Sequence, residues 1–322
     1  MLKAFAALRV PSLRQEVGAH PAPDVRRLKL AGGGMIDDLG RAVTLRGVSL
    51  FWSQWKPEFF NRKLVSWLTR DWRINVIRLP VAATSPGYLT DPSRELAKAT
   101  EVIDAAIACG IYAVVDWHGH EPHTEQALGF FEAVATRYPD SPNVLFELWN
   151  EPNSSLEWQS DIVPHHRALL AAIRQISPTA PIILGTPHFC TNLEDPALYP
   201  LDEENIAYAL HFYAGTHRAG LRRRADAAIA AGLTLFASEW GLSEAAGCGV
   251  LDPVEGLRWT DFLNQRGISH IGWSICDKNE ASAALRVGAS PAGAWPRSDL
   301  SKSGRWMRDY LRRSWAAEAA TG

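Results

Sequence analysis

Two acidic residues, Glu151 and Glu239, stand 88 positions apart, each at the end of an apolar run: Glu151 after VLFELWN and Glu239 after LTLFAS. A carboxylate buried in an apolar strand without a partner costs several kcal/mol, so Glu239 is expected to work rather than fill space. A facing pair of carboxyls can break a glycosidic bond. One attacks the anomeric carbon; the other protonates the departing oxygen and then activates water. Retention of configuration would require the two groups about 5–5.5 Å apart. Further polar groups end similar apolar runs: Arg78, the Asp116–His118 stretch, Asn150 directly before Glu151, His211 with Tyr213, and Trp273. Arg78 and Tyr213 are suited to bond the attacking carboxylate and keep it anionic. His118 and His211 would line the cleft and tune both charges, and Asn150 could bond a sugar 2-OH. Glu147 or Asp116 would be the partner of Arg78 were it only a structural ion pair.

These residues need a frame that gathers strand ends. Eight strand-like segments cover residues 43–50, 75–80, 112–118, 143–150, 181–186, 206–213, 233–240 and 270–276. Several are nearly continuous apolar runs, as parallel strands buried on both faces require. Helical stretches at 93–109, 123–137, 161–176 and 219–231 alternate with them, and Gly110 and Gly232 stand where helix C-caps belong. Strand and helix alternating eight times predict a (β/α)8 barrel, the TIM-barrel α/β class, whose active site lies at the C-terminal strand ends. The polar residues above fall there. Residues 32–45, with a turn near Asp37–Gly40, predict a short hairpin closing the barrel bottom. The expected division is an N-terminal arm 1–29, one catalytic domain 30–316 and a tail 317–322.

The bulk numbers suit a neutral partner. The chain has 322 residues, 47% hydrophobic and 21% charged, with a formal net charge of -2. Neither nucleic acid nor a membrane surface is called for, and no apolar stretch of about 20 residues could span a bilayer. The 13 tryptophans exceed what a core needs and would offer flat faces for pyranose rings. Four widely spaced cysteines without a CxxC pair argue against zinc. Cys109 and Cys276 read as buried small hydrophobes, while a Cys190–Cys248 disulfide stays open. No metal and no cofactor is expected, and His120, His123, His165 and His166 read as surface residues, as does the basic run Arg222–Arg224. The opening MLKAFAALRV starts like a signal peptide, but Arg9 and Arg14 interrupt it and no clear cleavage site follows.

The motifs together resemble glycoside hydrolase family 5, in particular its bacterial endo-β-1,4-glucanase subfamily. The matching stretches are TLRGVSLFWSQW (44–55), GYLTDPS (87–93), DAAIACGIYAVVDWHGH (104–120), PNVLFELWNEP (142–152), YALHFYAGTH (208–217), LFASEWG (235–241) and WSICDKNEASAALRVGAS (273–290). The resemblance implies a retaining endo-β-1,4-glucanase with Glu151 as acid/base and Glu239 as nucleophile. It makes Arg78, His118, Asn150, His211 and Tyr213 the supporting groups. Trp273, Lys278 and Glu280 would bind sugars on the non-reducing side, with Trp52 or Trp55 as a further platform. It also implies a monomer acting on a β-1,4-linked glucan, secreted or periplasmic, with a cytoplasmic location still open. The same machinery on mannan, xyloglucan or lichenan, and a non-catalytic glycan-binding barrel, are the competing readings.

Overall fold

The computed structural model describes residues 25–139 and 141–321; residues 1–24 of the expected N-terminal arm lie outside these. Among the described residues ten strands follow one another: β1 (Leu28–Ala31), β2 (Gly34–Asp37), β3 (Arg46–Leu50), β4 (Val76–Ala82), β5 (Tyr112–His118), β6 (Val144–Glu147), β7 (Ile182–Leu184), β8 (Ile206–Tyr213), β9 (Leu235–Gly241) and β10 (His270–Ile275). The last eight form a closed parallel barrel in chain order, β10 pairing with β3. The helices are α1 (Arg62–Trp67), α2 (Pro92–Cys109), α3 (Thr124–Arg137), α4 (Val163–Ile176), α5 (Pro187–Cys190), α6 (Glu194–Leu198), α7 (Ala219–Ala230), α8 (Pro253–Gln265) and α9 (Lys302–Thr321). This is the predicted (β/α)8 barrel. Gly110 and Gly232 follow their helices with φ of 65° and 98°, the left-handed cap their positions required.

Strands β4 to β10 are buried along their whole length, and β3 is buried beyond Arg46, so the barrel is a packed core between its own interior and the helical layer. At the bottom, Leu28, Leu30 and Met35 of the β1–β2 hairpin pack on Val76, Tyr112 and Ile271 near the strand starts. Hydrogen bonds anchor it, among them Leu30 N–H donating to Asn205 Oδ1 (2.7 Å) and Tyr112 OH to the Arg26 carbonyl (2.8 Å).

Several expectations need correction. The hairpin begins earlier than predicted, because β1 pairs with β2 around Gly32–Gly33. The Asp37–Gly40 turn exists but leads only to a single bridge, Ile36 to Ala42. Residues from Leu28 thus belong to the hairpin, and the expected tail from 317 continues α9 to Thr321. Cys190 and Cys248 do not pair; the first is buried and the second exposed. His165 and His166 are not on the surface. They lie on the barrel side of α4, where His165 bonds Thr124 Oγ1 and the Leu148 carbonyl, and His166 the Gly185 carbonyl. Arg222 also turns inward, bonding Glu255 (2.5 Å) beside the Trp259 ring.

Burial of His165, His166 and His270 disfavours their charged forms and pushes them down to about 4, 3 and 3. The unfolded chain therefore binds more protons than the folded one below the ordinary histidine range. The stability these groups contribute is complete above about pH 6.5 and is lost as pH falls toward their folded values. Urea unfolding between pH 6.5 and 5, where ordinary carboxylates stay ionised, should show stability falling with acid. Each histidine should add up to about 1.4 kcal/mol per pH unit, and His166→Gln should flatten the slope. An unchanged slope would contradict the neutral, buried assignment.

Candidate active site

β4 carries Arg78 into the barrel interior, where it is fully buried. Its guanidinium reaches four partners. Nε and Nη2 fork onto Glu147 (2.7 and 3.2 Å), Nη2 also contacts Asp116 Oδ2 (2.9 Å) and Asn150 Oδ1 (2.7 Å), and Nη1 donates to Glu239 Oε2 (3.1 Å). Burial opposes this charge, but Asp116, Glu147 and Glu239 outweigh it and hold the group protonated. One cation thus joins β4, β5, β6 and β9.

Glu239, on β9, is buried and bonded on both oxygens: Tyr213 OH donates to Oε1 at 2.5 Å and Arg78 to Oε2. Burial and the neighbouring Glu151 charge push this carboxyl up, against the pull of His211, Arg78 and Tyr213. A protonated Glu151 would remove the repulsion. Gly241 explains the end of β9: a Cβ there would stand 2.8 Å from the Tyr213 ring carbons, so only glycine lets the tyrosine reach Glu239.

Glu151 lies just beyond β6, on a segment still tied to the barrel by Leu148 N–H to the Ile183 carbonyl and Asn150 N–H to the Trp117 carbonyl. Its side chain keeps 16% exposure, and His211 Nδ1 stands 2.9 Å from Oε1. Ligand atoms of Glu151, His211 and Glu239 all fall within 4.8 Å of one another. Burial disfavours a charged His211, yet Glu147, Glu151 and Glu239 raise it to about 9. His118 goes the other way: burial and the Arg78 charge drive it well below the usual range, and its Nδ1 sits 2.6 Å from Asp116 Oδ2. The two histidines therefore differ in charge. The Glu151–His211–Glu239 trio could attract a cation, but Tyr213 and Arg78 already occupy the Glu239 oxygens, and Arg78 would repel an ion.

Aromatic surfaces flank the carboxylates. The His118 ring stacks on Trp273 (5.4 Å, 12°) and meets Trp52 edge-on (4.2 Å). Trp52 stands beside Trp55, which is 54% exposed. Two buried or half-buried contacts fix the loop carrying this pair: Ser53 Oγ donates to Glu95 of α2, and Lys56 pairs with Asp277 beyond β10 (2.5 Å). Farther out on the same β10 loop, Lys278 pairs with Glu280 (2.6 Å) and lies over the Phe51 ring. On the other side, α5 is a single left-handed turn in which His188, Phe189 and Cys190 have φ of 55–57°. Such residues are strained by about 1–3 kcal/mol each. Phe189 N–H donates to the Pro152 carbonyl (2.8 Å) and Cys190 Sγ to the Asn150 carbonyl (3.0 Å), clamping the Asn150–Pro152 segment. The clamp leaves Phe189 40% exposed beside His120.

The structure thus gathers Arg78, His118, Asn150, Glu151, His211, Tyr213, Glu239 and Trp273 into one cluster, with Trp52 and Trp55 alongside and Lys278 and Glu280 at its margin. Sequence reasoning did not single out Ser238, Glu95, Lys56 or Phe189, and treated Glu147 only as a partner for Arg78. Glu147 carried the signal that marked Glu239, a carboxylate inside an apolar strand. The arrangement offers one buried, doubly bonded carboxylate facing a partly exposed one that shares a proton with histidine.

The chain matches the cellulase family described as glycosyl hydrolase family 5 over residues 36–279. It is 41% identical over 301 residues to endoglucanase N of Pectobacterium atrosepticum, covering 92% of this chain and 68% of that one. It spans 59% and 57% of the length of two other bacterial endoglucanases. A solved structure from Cytophaga hutchinsonii superposes with a TM-score of 0.90 at 38% identity, covering 92% of this chain and 97% of that one. The catalytic domain of Thermobifida fusca endoglucanase Cel5A, solved with cellotetraose, gives 0.84 at 30% identity, covering 89% and 97%.

Removing the Arg78 charge would strand three buried carboxylates. Arg78→Leu should destabilise the fold by about 3–5 kcal/mol in urea unfolding. Arg78→Lys should recover part of this, since it restores the charge but not the fork. Equal unfolding midpoints for Leu, Lys and the native residue would show that the guanidinium does not hold the four strands.

Proposed function

The chain belongs to the cellulase family, glycosyl hydrolase family 5, and from that premise we propose that it is a retaining endo-β-1,4-glucanase with Glu239 as nucleophile and Glu151 as acid/base. The observation that carries this is the asymmetry of the two facing carboxyls, whose oxygens approach within 4.8 Å. That separation suits double displacement and leaves no room for the water an inverting enzyme holds between its carboxyls, which needs about 6.5–9.5 Å. Tyr213 and Arg78 aim Glu239 and favour its anionic form. Glu151, more open and bonded to His211, can exchange protons with the leaving group and with water.

In the first step a Glu239 oxygen bonds the anomeric carbon while the bond from that carbon to the leaving oxygen breaks, and Glu151 gives that oxygen its proton. In the second, water attacks the same carbon, Glu151 takes the water's proton, and the ester bond to Glu239 breaks. Both transition states spread positive charge over the sugar ring. Asn150, held by Arg78, would bond the 2-OH there.

Binding follows from the flanks. Trp273, Trp52 and Trp55, with Lys278 and Glu280, form a platform for sugars on the non-reducing side. Phe189 supplies an apolar face on the other. A cleft with stacking surfaces on both sides of the carboxylates supports internal cutting of a chain, and the cellotetraose bound to the T. fusca relative supports a β-1,4-glucan. With a polymeric substrate, the reading extends to work outside the cytoplasm and to a chain acting as a monomer. Among the described residues, no helix is long and apolar enough to cross a membrane.

Three measurements test this. Glu239→Ala should lose turnover on carboxymethylcellulose by about 10⁴-fold or more, with azide restoring part of it as a glycosyl azide on an activated aryl cellobioside; near-native turnover would refute the nucleophile. An NMR time course on a cello-oligosaccharide should show the β-anomer first, and initial α-anomer would refute retention. Running mannan and xyloglucan in parallel should give slower release of reducing ends than carboxymethylcellulose; faster release from either would reassign the glycan.

A further inference from the structure

Behind His211 lies a buried polar chain that the proposed mechanism does not use. His211 Nε2 stands 3.0 Å from Ser238 Oγ, and Ser238 Oγ stands 2.7 Å from Glu147 Oε1. Glu147 itself is gripped by the Arg78 fork. Both Ser238 and Glu147 are fully buried.

The geometry points to Ser238 as a positioning residue that, through Glu147, fixes the proton of His211 on Nε2, so that the imidazole always presents Nδ1 to Glu151. A carboxylate can only accept hydrogen bonds, and a serine hydroxyl has one proton to give. Facing the Glu147 carboxylate at 2.7 Å, that proton must go to Glu147; the opposite orientation would set two lone pairs against each other in a buried site. Ser238 Oγ is then left to accept, and the group in reach is His211 Nε2, which must carry a hydrogen. Glu147 does not supply a proton instead, because burial is overcome by the Arg78 charge and the carboxyl is held down at about 2.

The consequence falls on Nδ1. One proton is shared between it and Glu151, and this is the proton delivered to the leaving oxygen. Once it is delivered, the Glu151 carboxylate faces a bare ring nitrogen rather than an N–H, which makes it a stronger base toward water. An imidazole free to turn its proton to Nδ1 would hydrogen-bond the carboxylate and blunt both steps. The charges facing His211 are Glu147, Glu151 and Glu239, with Asp116, Arg78, His118 and His217 around them. Glu147 is the one placed to direct its far nitrogen.

The inference rests on Glu151 as the acid/base, so its test separates the two. In ¹⁵N-histidine-labelled wild-type protein, the His211 signals, assigned by their loss in His211→Asn, should show Nε2–H both in the charged ring below about pH 9 and in the neutral ring that replaces it above. A neutral form protonated on Nδ1 would overturn the proposal without touching the acid/base reading. Ser238→Ala should lower kcat/KM on cellotetraose about tenfold or more and move the alkaline limb of its pH profile to lower pH. It should change kcat/KM less than about threefold on dinitrophenyl β-cellobioside, whose phenolate leaves without a proton. Ser238→Thr, which keeps the hydroxyl, should restore the native profile. Equal losses on both substrates, no loss on either, or failure of Thr at a native unfolding midpoint would each overturn the proposal. Should Glu151→Ala retain activity on cellotetraose, the acid/base reading fails instead.

Discussion

A single guanidinium shared among three buried carboxylates sets the terms for this site. Arg78 bonds Glu147, Asp116 and Glu239 inside a barrel that excludes water. An uncompensated buried ion is far more costly than any surface pair, so the four strands that supply these groups are held in one register. One positive charge cannot offset three negative ones. The surplus is met by driving Asp116 well above the usual carboxylate range, chiefly by burial, and by raising His211 to about 9. The charge states of the cluster are therefore consequences of Arg78 and of one another, and none can be altered alone.

That coupling gives two carboxyls of the same chemistry different surroundings. Glu239 sits where Arg78 and Tyr213 bond its anion. Glu151 sits on the loop beyond β6, partly open and paired with a histidine. The difference is positional: β9 ends inside the ring of polar groups, whereas β6 stops at Glu147, four residues before Glu151. The short β6 places one acidic residue in the ionic core and the next at the cleft. Histidines follow the same logic. His118 lies beside Arg78 and is kept neutral, while His211 lies among carboxylates and is not.

Much of this was legible in the sequence because the barrel translates strand ends into a shared site. All eight barrel strands lie where the apolar runs put them, and the polar residues ending those runs converge. What could not be read depends on three-dimensional neighbours. His165 and His166 share the helix face of Leu169, Leu170 and Ile173, a periodic signal that their polar side chains mask; their carbonyl partners, at Leu148 and Gly185, come from other strands' ends. Ser238 is a small residue in an apolar strand, and only the positions of His211 on the neighbouring β8 and of Glu147 on β6 give its hydroxyl a meaning. The left-handed turn at His188–Cys190 carries no glycine to announce it. The hairpin was displaced because two turn signals, Gly32–Gly33 and Asp37–Gly40, compete within ten residues.

The cleft walls obey a rule different from the floor. Ladder hydrogen bonds hold the strands, but the stacking rings ride on loops, and loops must be fastened separately if they are to meet a sugar without first being ordered. Association loses free energy for every side chain immobilised on binding. Here that ordering is completed on folding: Ser53 to Glu95 and Lys56 to Asp277 fix the Trp52–Trp55 loop. On the opposite wall, the strain of three left-handed residues is offset by bonds from Phe189 and Cys190 to the very segment bearing Asn150 and Glu151. The same turn therefore sets both the height of the Phe189 face and the position of Glu151. Any change that relaxes the turn must move the Phe189 face and an acidic group together, which couples the cleft wall to the carboxylates through the backbone alone.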